Sequence, residues 1–370
     1  MIPAGTECPE LPLSIAHVRI DDVDRERRGL AVGAAVRRGV HTAVAGYDAL
    51  FAAVGVEPSD LRAHGERALA AIEGWAPGLH RELMAVAAGS EVPPWRIGML
   101  NARTEILATV GATAEGECST AVYVGDPGAP HTIQTWDWHR EFAASRTLVH
   151  FPSAGGGRTV STFTEAGILA KIGVNSSGLG VHFNILSHRT DGTGIGVPVH
   201  AVARRVLEEA TSIAEARDIA ASAPVSASTV LTVVTHGGRE SDAACIELCP
   251  AGTAVVRPDR DGVLLHTNHF LDPGLAEGDQ AAPQASTHPR LAHLSAHREL
   301  LMSSDRAHWT QLLCAHEVDG APICCHPQPD LPSHQQWSTL LTVSLDLAAG
   351  NLRYHDGGPC TAGASAWQHF

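Results

Sequence analysis

The sequence predicts an α+β fold in which helices and strands form separate layers. Helical patterns gather in blocks, at residues 24–110, 199–223, 288–302 and 305–316, and do not alternate singly with strands. Short apolar or β-branched runs fill the intervening segments, and Gly, Pro and Asp separate them, as strands and turns require. This grouping favours a layered α+β architecture over a doubly wound parallel sheet.

The first block is predicted to be mostly helical. Leu69, Ile72 and Ala76 recur at helical spacing, and similar stripes follow. Pro93 and Pro94 interrupt the pattern, which resumes at residues 95–107. No clear strand pattern interrupts this region before Cys118.

Strand patterns begin after Cys118. The first four predicted strands are residues 121–124, 132–135, 147–151 and 168–174. A helical stripe then covers residues 199–223. Ser212 and Glu215 are spaced as a capping box that begins its second helix, and Pro224 ends it.

Strands also dominate the rest of the chain. They are predicted at residues 229–234, 244–248, 253–256 and 263–266, and the last helical patterns cover 288–302 and 305–316. Residues 338–347 and 352–355 flank a turn and form a β-hairpin. Residues 272–287 are the best loop candidate, and no internal repeat is visible.

Composition excludes several classes of function. The chain has 370 residues, of which 44% are hydrophobic and 18% charged, as in globular proteins with a core. A net charge of −14 without a Lys/Arg-rich run argues against nucleic acid and anionic membranes as partners. No apolar run is long enough for a transmembrane helix. The initial run MIPAGTECPELPLS lacks the features of a signal peptide, so we expect a cytoplasmic protein.

The cysteines and histidines predict neither disulfides nor a metal site. Eight cysteines occur without a C-x-x-C pair, so reduced thiols are expected. His293 and His297 are placed to share a helix face, but H-E-x-x-H and Cys/His ligand spacings are absent among the 22 histidines. Surface or hydrogen-bonded histidines are therefore expected, with no metal and no cofactor. A non-catalytic, histidine-rich metal-binding protein remains the alternative from another class.

Cys118, in the run Gly116-Glu117-Cys118-Ser119-Thr120, is the most informative residue. If the bond before it breaks, the cysteine becomes an N-terminus whose α-amine is its own base. A free thiol has a pKa of about 8.5 and an α-amine one of about 7.7–8.0, so one residue then pairs nucleophile with base. The alternative is a buried structural cysteine, the usual state of a free thiol.

Short motifs surround Cys118 in a specific order along nearly the whole chain. They are Asn101-Ala102-Arg103-Thr104-Glu105, Cys118-Ser119-Thr120, Trp136-Asp137-Trp138, Thr164-Glu165-Ala166-Gly167-Ile168, Lys171-Ile172-Gly173-Val174-Asn175-Ser176, His266-Thr267-Asn268-His269-Phe270, Pro322-Ile323-Cys324 and Gly358-Pro359-Cys360. Each is weak alone. In this order and spacing they resemble the acyl-coenzyme A:6-aminopenicillanic acid acyltransferase family, also called isopenicillin N acyltransferase-like, whose members are N-terminal-nucleophile hydrolases.

The resemblance implies a four-layer αββα sandwich of the N-terminal-nucleophile hydrolase type. It implies self-cleavage between Glu117 and Cys118 into a mainly helical segment, 1–117, and a catalytic segment, 118–370, which stay together as one structural unit. The implied activity is acyl transfer or amide hydrolysis on a small amine-bearing metabolite through an acyl-cysteine, as in antibiotic biosynthesis. Acyl-coenzyme A or an acyl carrier protein is the implied candidate donor.

Four residues carry the implied catalytic roles. Cys118 is the nucleophile, and Asp137 orients the α-ammonium and tunes its pKa. Asn175 contributes near the oxyanion, and Arg290 clamps a carboxylate of the substrate or of the cleavage site. From the residues alone, Asp137 and Asn175 also fit turns, and Arg290 also fits an exposed helix start.

Four further residues are expected at the oxyanion or the pocket. Thr229 stands where many relatives carry an asparagine, so a hydroxyl replaces the usual second amide donor. Trp136 is expected to pack in the pocket wall or core. Asn268 and His269 are expected to form a structural corner near the site, together with His266.

A second interpretation keeps the fold and changes the reaction. The chain is then an amide synthetase of natural-product biosynthesis that takes an acyl group from a carrier-protein or coenzyme A thioester. It works without cutting itself, with Cys118 internal and a histidine as base. The sequence neither names the substrate nor decides between hydrolysis and transfer.

Overall fold

A mainly helical region precedes Cys118, as the sequence predicts. The structure is a computed structural model that describes residues 14–112, 118–125, 128–238, 240–363 and 366–370. The elements before Cys118 are β1 (Ala16–Arg19), α1 (Arg25–Ala35), α2 (Arg37–Ala53), α3 (Pro58–Trp75), α4 (Pro77–Ser90), α5 (Pro94–Asn101) and α6 (Arg103–Thr109). Proline opens α3, α4 and α5, where the missing N–H costs nothing and the fixed φ suits a helix.

Glycine lets two of these helices cross at backbone contact. A Cβ atom on Gly65 of α3 would lie 2.0 Å from the carbonyl oxygen of Trp95. One on Gly98 of α5 would lie 2.1 Å from the carbonyl oxygen of Gly65. Any side chain at either position must therefore push α3 and α5 apart.

The chain from Cys118 onward supplies the remaining strands and helices. The first strands are β2 (Ser119–Tyr123), β3 (His131–His139), β4 (Arg146–Pro152), β5 (Thr159–Glu165), β6 (Ile172–Asn175) and β7 (Leu179–Leu186). The middle elements are α7 (Val199–Glu209), α8 (Ile213–Ala221), β8 (Ser228–Gly237), β9 (Glu240–Cys249), β10 (Gly252–Val256) and β11 (Val263–His266). The last are α9 (Pro273–Ala276), α10 (Thr287–Ala296), α11 (Glu299–Met302), α12 (Arg306–Leu312), β12 (Trp337–Asp346), β13 (Asn351–Asp356) and β14 (Gln368–His369).

The strands form two sheets that face each other. One sheet has the order β1-β4-β5-β6-β7-β8-β9-β10 and the other the order β11-β2-β3-β12-β13-β14. β12 and β13 contact β6 across the interface, and β2 contacts β7. Helices α7 and α8 cover the outer face of the first sheet, while α10 and α11 cover β2 and β11 of the second. The expected α+β class and four-layer αββα sandwich are confirmed.

Most local predictions were confirmed, and four strands were missed. The sequence did not predict β1, β5, β7 and β14, and β6 begins at Ile172 where the pattern suggested residue 168. Gly167 at φ 89° turns the chain there, so residues 168–171 are not in the strand. The capping box is half present, because Ser212 Oγ accepts from the Glu215 N–H whereas the Glu215 carboxylate accepts from the N–H of Thr211.

The remaining local expectation concerned residues 272–287. This segment is mostly irregular, as predicted, but it contains the short helix α9 and the first residue of α10. Within the described ranges, every helix is too short or too polar to cross a membrane.

Candidate active site

Cys118 lies directly before β2, buried between the two sheets. Its side chain is 4% exposed, and its sulfur accepts a hydrogen bond from the backbone N–H of Asp137 on β3. The pairing of β2 with β3 brings this about, since Ser119 lies opposite Thr135. Glu117, on the other side of the predicted cleavage bond, lies outside the described residues.

Two side chains hold the carbonyl oxygen of Cys118. Asn184 Nδ2 donates to it at 3.0 Å from β7, and Arg290 Nη1 donates at 2.9 Å from α10. Arg290 also donates to Ser119 Oγ at 3.0 Å, so its planar guanidinium spans the start of β2. These contacts fix the backbone of Cys118 from the opposite sheet and from the outer helical layer.

The segment 266–270 supports Arg290, as expected of a structural corner. Asn268 Oδ1 accepts from Arg290 Nη2 at 3.0 Å, and Asn268 Nδ2 donates to the carbonyl of Ile185 at 2.8 Å. His269 Nδ1 lies 2.8 Å from Thr287 Oγ1 at the start of α10. Burial, followed by neighbouring cationic side chains, lowers the pKa of His269 to about 4, so this ring is neutral near pH 7. Asn268 and His269 thus position Arg290 and the start of α10.

The Asp137 carboxylate is buried and held by hydroxyl groups. Thr135 Oγ1 donates to Asp137 Oδ2 at 3.2 Å, and Thr339 Oγ1 on β12 donates to Oδ1. The backbone N–H of Cys325 donates to Thr339 Oγ1 at 2.8 Å, which links Asp137 to the segment before β12. A carboxylate in this position faces the residue that would carry the new α-amine.

Burial keeps the Cys118 thiol protonated while the residue is inside the continuous chain. It raises the pKa of Cys118 to about 12, and the Asp137 carboxylate acts in the same direction. The Asp137 N–H and the cations of Arg290 and Lys171 oppose this rise. The thiol therefore needs a nearby base before it can act as a nucleophile at neutral pH.

A buried ionic cluster beside Cys118 was not assigned a role from the sequence. Glu165 Oε2 contacts Lys171 Nζ and lies 3.4 Å from Arg103 Nε, and Glu165 Oε1 accepts from Tyr47 Oη at 2.6 Å. Burial and the Arg103 guanidinium push the pKa of Lys171 well below its usual range, whereas a negative Cys118 opposes this. The protonated amine of Lys171 and the thiolate of Cys118 therefore stabilise each other electrostatically.

Two tryptophans cover this cluster and are core residues, as expected. Trp136 is 3% exposed, and Lys171 Nζ lies 4.6 Å from its ring centroid. Trp138 is 1% exposed, and the Arg103 guanidinium carbon lies 4.0 Å from its ring centroid. The aromatic faces thus stabilise the buried cations.

Asn175 occupies a different place from the one predicted. Its Nδ2 donates to the carbonyls of Leu207 and Ala210 at 3.0 and 2.9 Å, at the end of α7. Its Oδ1 accepts from the N–H groups of Ser177 and Leu179. Both ends of the amide are therefore used to hold a turn and a helix end. The predicted oxyanion role of Asn175 is not supported, and Asn184, which the sequence analysis missed, contacts Cys118.

Thr229 acts on the site through Asn184. It lies on β8, and its Oγ1 donates to the backbone carbonyl of Asn184 at 2.8 Å. The Asn184 side chain is also fixed, because its Oδ1 accepts from Thr120 Oγ1 at 2.8 Å and from Gln134 Nε2 at 3.3 Å. Thr229 is thus a positioning residue rather than a direct donor to the Cys118 carbonyl.

An open cleft of about 950 Å³ borders this site. Its lining residues Ser286 and Cys325 connect it to the site, the first directly and the second through Thr339. Ser286 Oγ accepts from Arg290 Nε at 3.3 Å, and Cys325 is joined to Asp137 through Thr339. The volume lies within the range of about 300–1,000 Å³ that is usual for small-molecule sites.

Comparison with known proteins agrees with the motifs in the sequence. The family model described as acyl-coenzyme A:6-aminopenicillanic acid acyl-transferase matches residues 125–311, which is half of the chain. The match begins after Cys118 and includes Asp137, Asn184 and Arg290. The chain belongs to this family.

A curated relative agrees with this assignment. The acyl-coenzyme A:6-aminopenicillanic-acid-acyltransferase 40 kDa form of Emericella nidulans is 32% identical over 223 residues. The match covers 59% of this chain and 60% of the fungal protein, so it spans less than two thirds of that relative.

The similarity of this chain to solved structures is weaker than its similarity to the curated relative. Penicillin V acylase from Agrobacterium tumefaciens has a TM-score of 0.44 at 18% identity, over 65% of this chain and 83% of that one. A mutant of conjugated bile acid hydrolase from Clostridium perfringens has a TM-score of 0.44 at 12% identity, over 68% of this chain and 92% of that one. The layer order described above rests on the strand pairing of this chain itself.

Proposed function

We propose that this family member is a cysteine-nucleophile acyltransferase or amide hydrolase that acts on a small amine-bearing metabolite through an acyl-Cys118 intermediate. It becomes active after self-cleavage between Glu117 and Cys118. The resulting segments, 1–117 and 118–370, stay together as one structural unit. A thioester, of coenzyme A or of an acyl carrier protein, is the proposed acyl donor.

The arrangement around Cys118 is the observation that carries this proposal. The carbonyl is held by Asn184 and Arg290, and the sulfur accepts from the Asp137 N–H. The residue is thus anchored on its C-terminal side, so breaking the bond on its N-terminal side leaves the thiol in place. The Asp137 carboxylate then stabilises the new α-ammonium.

Self-cleavage and turnover both follow from one nucleophile. In self-cleavage the sulfur adds to the carbonyl carbon of Glu117, the C–N bond breaks, and the nitrogen takes the thiol proton. Water hydrolyses the resulting thioester, which releases the Glu117 carboxyl group and the free thiol. In turnover the α-amine takes the thiol proton, the thiolate attacks the acyl donor, and the leaving group departs with that proton. Water or an amine then takes the acyl group from Cys118.

For turnover, as distinct from self-cleavage, the environment of Cys118 favours a cleaved enzyme over an uncleaved amide synthetase. An internal Cys118 with a pKa of about 12 needs a strong base. Among the described residues, no histidine forms a hydrogen bond with the Cys118 sulfur, although the uncleaved mechanism assigns the base role to a histidine. An α-amine on the same residue supplies the base without a partner side chain.

We further propose Asn184 as the side-chain donor beside the reacting centre. Its Nδ2 carries two hydrogens, and one of them is directed at the Cys118 carbonyl. Its Oδ1 accepts from Thr120 and Gln134, which fixes the amide orientation. The carbonyl of Cys118 is not the one attacked, so we assign the second Nδ2 hydrogen to the attacked carbonyl, where a preorganised donor stabilises negative charge without reorganisation.

Intact mass spectrometry tests the proposal directly. We expect two chains, 1–117 and 118–370, from the purified wild-type protein, and an acyl adduct on the second chain after incubation with acyl thioesters. The Cys118→Ala variant is expected to stay a single folded chain without an adduct. Cys314→Ala, which removes a half-buried thiol of the outer layer, is the matched control and should behave as wild type.

Two results would overturn parts of the proposal. A single 370-residue chain that still forms the adduct would remove self-cleavage and favour the uncleaved amide synthetase. Substantial adduct formation in Cys118→Ala would exclude Cys118 as the nucleophile.

A further inference from the structure

Four potential metal ligands converge at the rim of the cleft. His316 precedes a short turn at Glu317–Asp319, Cys324 and His326 lie in the loop before β12, and Cys360 lies in the turn Pro359–Thr361 after β13. One ligand atom from each of these four residues lies within 4.8 Å of those of the other three. No metal site was predicted from the sequence, because His316, Cys324, His326 and Cys360 follow none of the usual ligand spacings.

We propose that His316, Cys324, His326 and Cys360 bind one Zn²⁺ ion in a closed, tetrahedral Cys₂His₂ site. Zinc–sulfur bonds of about 2.3 Å and zinc–nitrogen bonds of about 2.0–2.1 Å place sulfur and nitrogen ligands about 3.5 Å apart in a tetrahedron. His326 Nε2 lies 3.6 Å from Cys324 Sγ and 3.4 Å from Cys360 Sγ. Both separations fit a shared metal ion.

Hydrogen bonding alone explains this convergence less well. A neutral imidazole nitrogen offers either one hydrogen or one lone pair, yet His326 Nε2 faces two sulfur atoms. A divalent cation bound by the two thiolates and by the lone pair of His326 Nε2 would satisfy all three groups at once.

The surroundings of the four residues are also those of a built site. Asp319 Oδ2 accepts from the backbone N–H of His316 at 2.9 Å, which fixes the backbone at this ligand. Gly358 leaves the necessary space, because a Cβ atom there would lie 2.7 Å from Cys324 Sγ. With four protein ligands the ion would be structural, without an open position for a catalytic water.

The proposed zinc would fix one wall of the cleft. His316, Cys324 and His326 all line the cleft, and Cys360 comes from the segment after β13. Cys325, between two ligands, donates its N–H to Thr339 Oγ1, which donates to Asp137. The ion would therefore tie the C-terminal segment to the loop that supports Asp137. This role is independent of acyl transfer at Cys118.

Zinc stoichiometry after mild chelation tests the site. The full chain, free of any histidine tag, is purified with a non-thiol reductant, loaded with zinc, dialysed against a weak chelator and measured by elemental analysis. We expect one retained zinc per chain, lost in Cys360→Ala and in His326→Gln. Cys314→Ala and His293→Ala should retain it, since Cys314 and His293 lie outside the four ligands. Cys118→Ala should also retain it, which separates this inference from the proposed function.

Cobalt substitution gives a second readout. Co²⁺ in the wild-type protein should show the intense visible bands of tetrahedral coordination and a thiolate charge-transfer band, which weakens when Cys360 is removed. Circular dichroism checks that each variant is folded. The proposal fails if folded wild-type protein retains no zinc and gives no tetrahedral Co²⁺ spectrum. It also fails if Cys360→Ala retains as much zinc as wild type, or if peptide mapping finds a Cys324–Cys360 disulfide in metal-free protein.

Discussion

Replacing Asn184 and Asn175 separately by alanine distinguishes a residue beside the reacting centre from one that only supports the fold. Asn184 Nδ2 donates to the Cys118 carbonyl, whereas Asn175 Nδ2 donates to the carbonyls of Leu207 and Ala210. Both amides are fully buried, so both variants lose stability. Only Asn184→Ala should also slow the chemistry of Cys118.

The magnitudes follow from the bonds that each variant breaks. Asn175→Ala leaves two helix-end carbonyls without their donor, at about 1–3 kcal/mol each, so the free energy of unfolding should fall by about 2–6 kcal/mol. Loss of a preorganised donor beside an attacked carbonyl slows reactions about 10²–10³-fold, or about 2.7–4 kcal/mol. We expect that factor in Asn184→Ala and less than threefold, about 0.6 kcal/mol, in folded Asn175→Ala.

Two rates provide the assay. The first is the rate of self-cleavage after cell-free synthesis, and the second is the single-turnover rate of acyl adduct formation with an acyl thioester, both followed by intact mass. Urea unfolding gives the folded fraction, so each rate is expressed per folded molecule. Equal losses of rate in Asn184→Ala and Asn175→Ala would refute the distinction. A full wild-type rate in Asn184→Ala would refute its proposed role as donor.

Three further predictions concern stability and the clamp on Cys118. Burial alone would raise the pKa of Glu82, but guanidiniums led by that of Arg204 hold it at about 2, below the ordinary 4.5. The ionised Glu82 thus stabilises the fold above pH 4.5, and this contribution is lost as the pH falls towards 2. Chemical denaturation should show the free energy of unfolding falling by about 3 kcal/mol over this range. In Glu82→Gln this dependence on pH should be weaker. Gly65→Ala should lower the free energy of unfolding by about 1–3 kcal/mol, because the new Cβ atom meets a backbone carbonyl. Gly74, in the same helix, has open space around it, so Gly74→Ala should raise the free energy of unfolding by about 0.5–1 kcal/mol. Urea unfolding measures both changes. Arg290→Lys cannot reproduce the forked contacts and should slow adduct formation about 10–100-fold, and an unchanged rate would show that the fork is dispensable.

The layered fold is predictable from the sequence because its elements carry strong local signals. The pairing of β12 with β13 across a short turn follows from two apolar runs and the glycine between them. Two of the missed strands differ, since β5 and β7 carry buried Thr, His and Asn among their apolar residues. In β7, His182 and Asn184 are buried by tertiary contacts with β2 and β3, which no local pattern reveals.

The site was predictable only where a motif surrounds the residue. Asp137 and Arg290 lie in segments that match the family, and both lie beside Cys118. Asn175 also lies in such a segment, but its neighbours are the end of α7 and a turn, so the motif marks a structural residue. Asn184 lies in a strand without a recognisable motif, and it reaches Cys118 only because β7 packs against β2. The proposed zinc ligands are distant in sequence for the same reason, as Cys360 reaches His326 only through the packing of the C-terminal segment.

The environment of Cys118 is unfavourable for a thiolate as long as the chain is continuous. With its pKa raised to about 12, the Cys118 thiol is protonated at pH 7. Cleavage before Cys118 would change this without moving the sulfur, because it converts an amide nitrogen, which is not a base, into an amine with an ordinary pKa of about 7.7–8.0. The same buried pocket then favours reaction, since the proton has an acceptor on the same residue and Arg290 and Lys171 already oppose the rise in the thiol pKa. The burial that disfavours the thiolate in the precursor is therefore compatible with an active mature enzyme, and the proposed cut is the step that supplies the base for turnover.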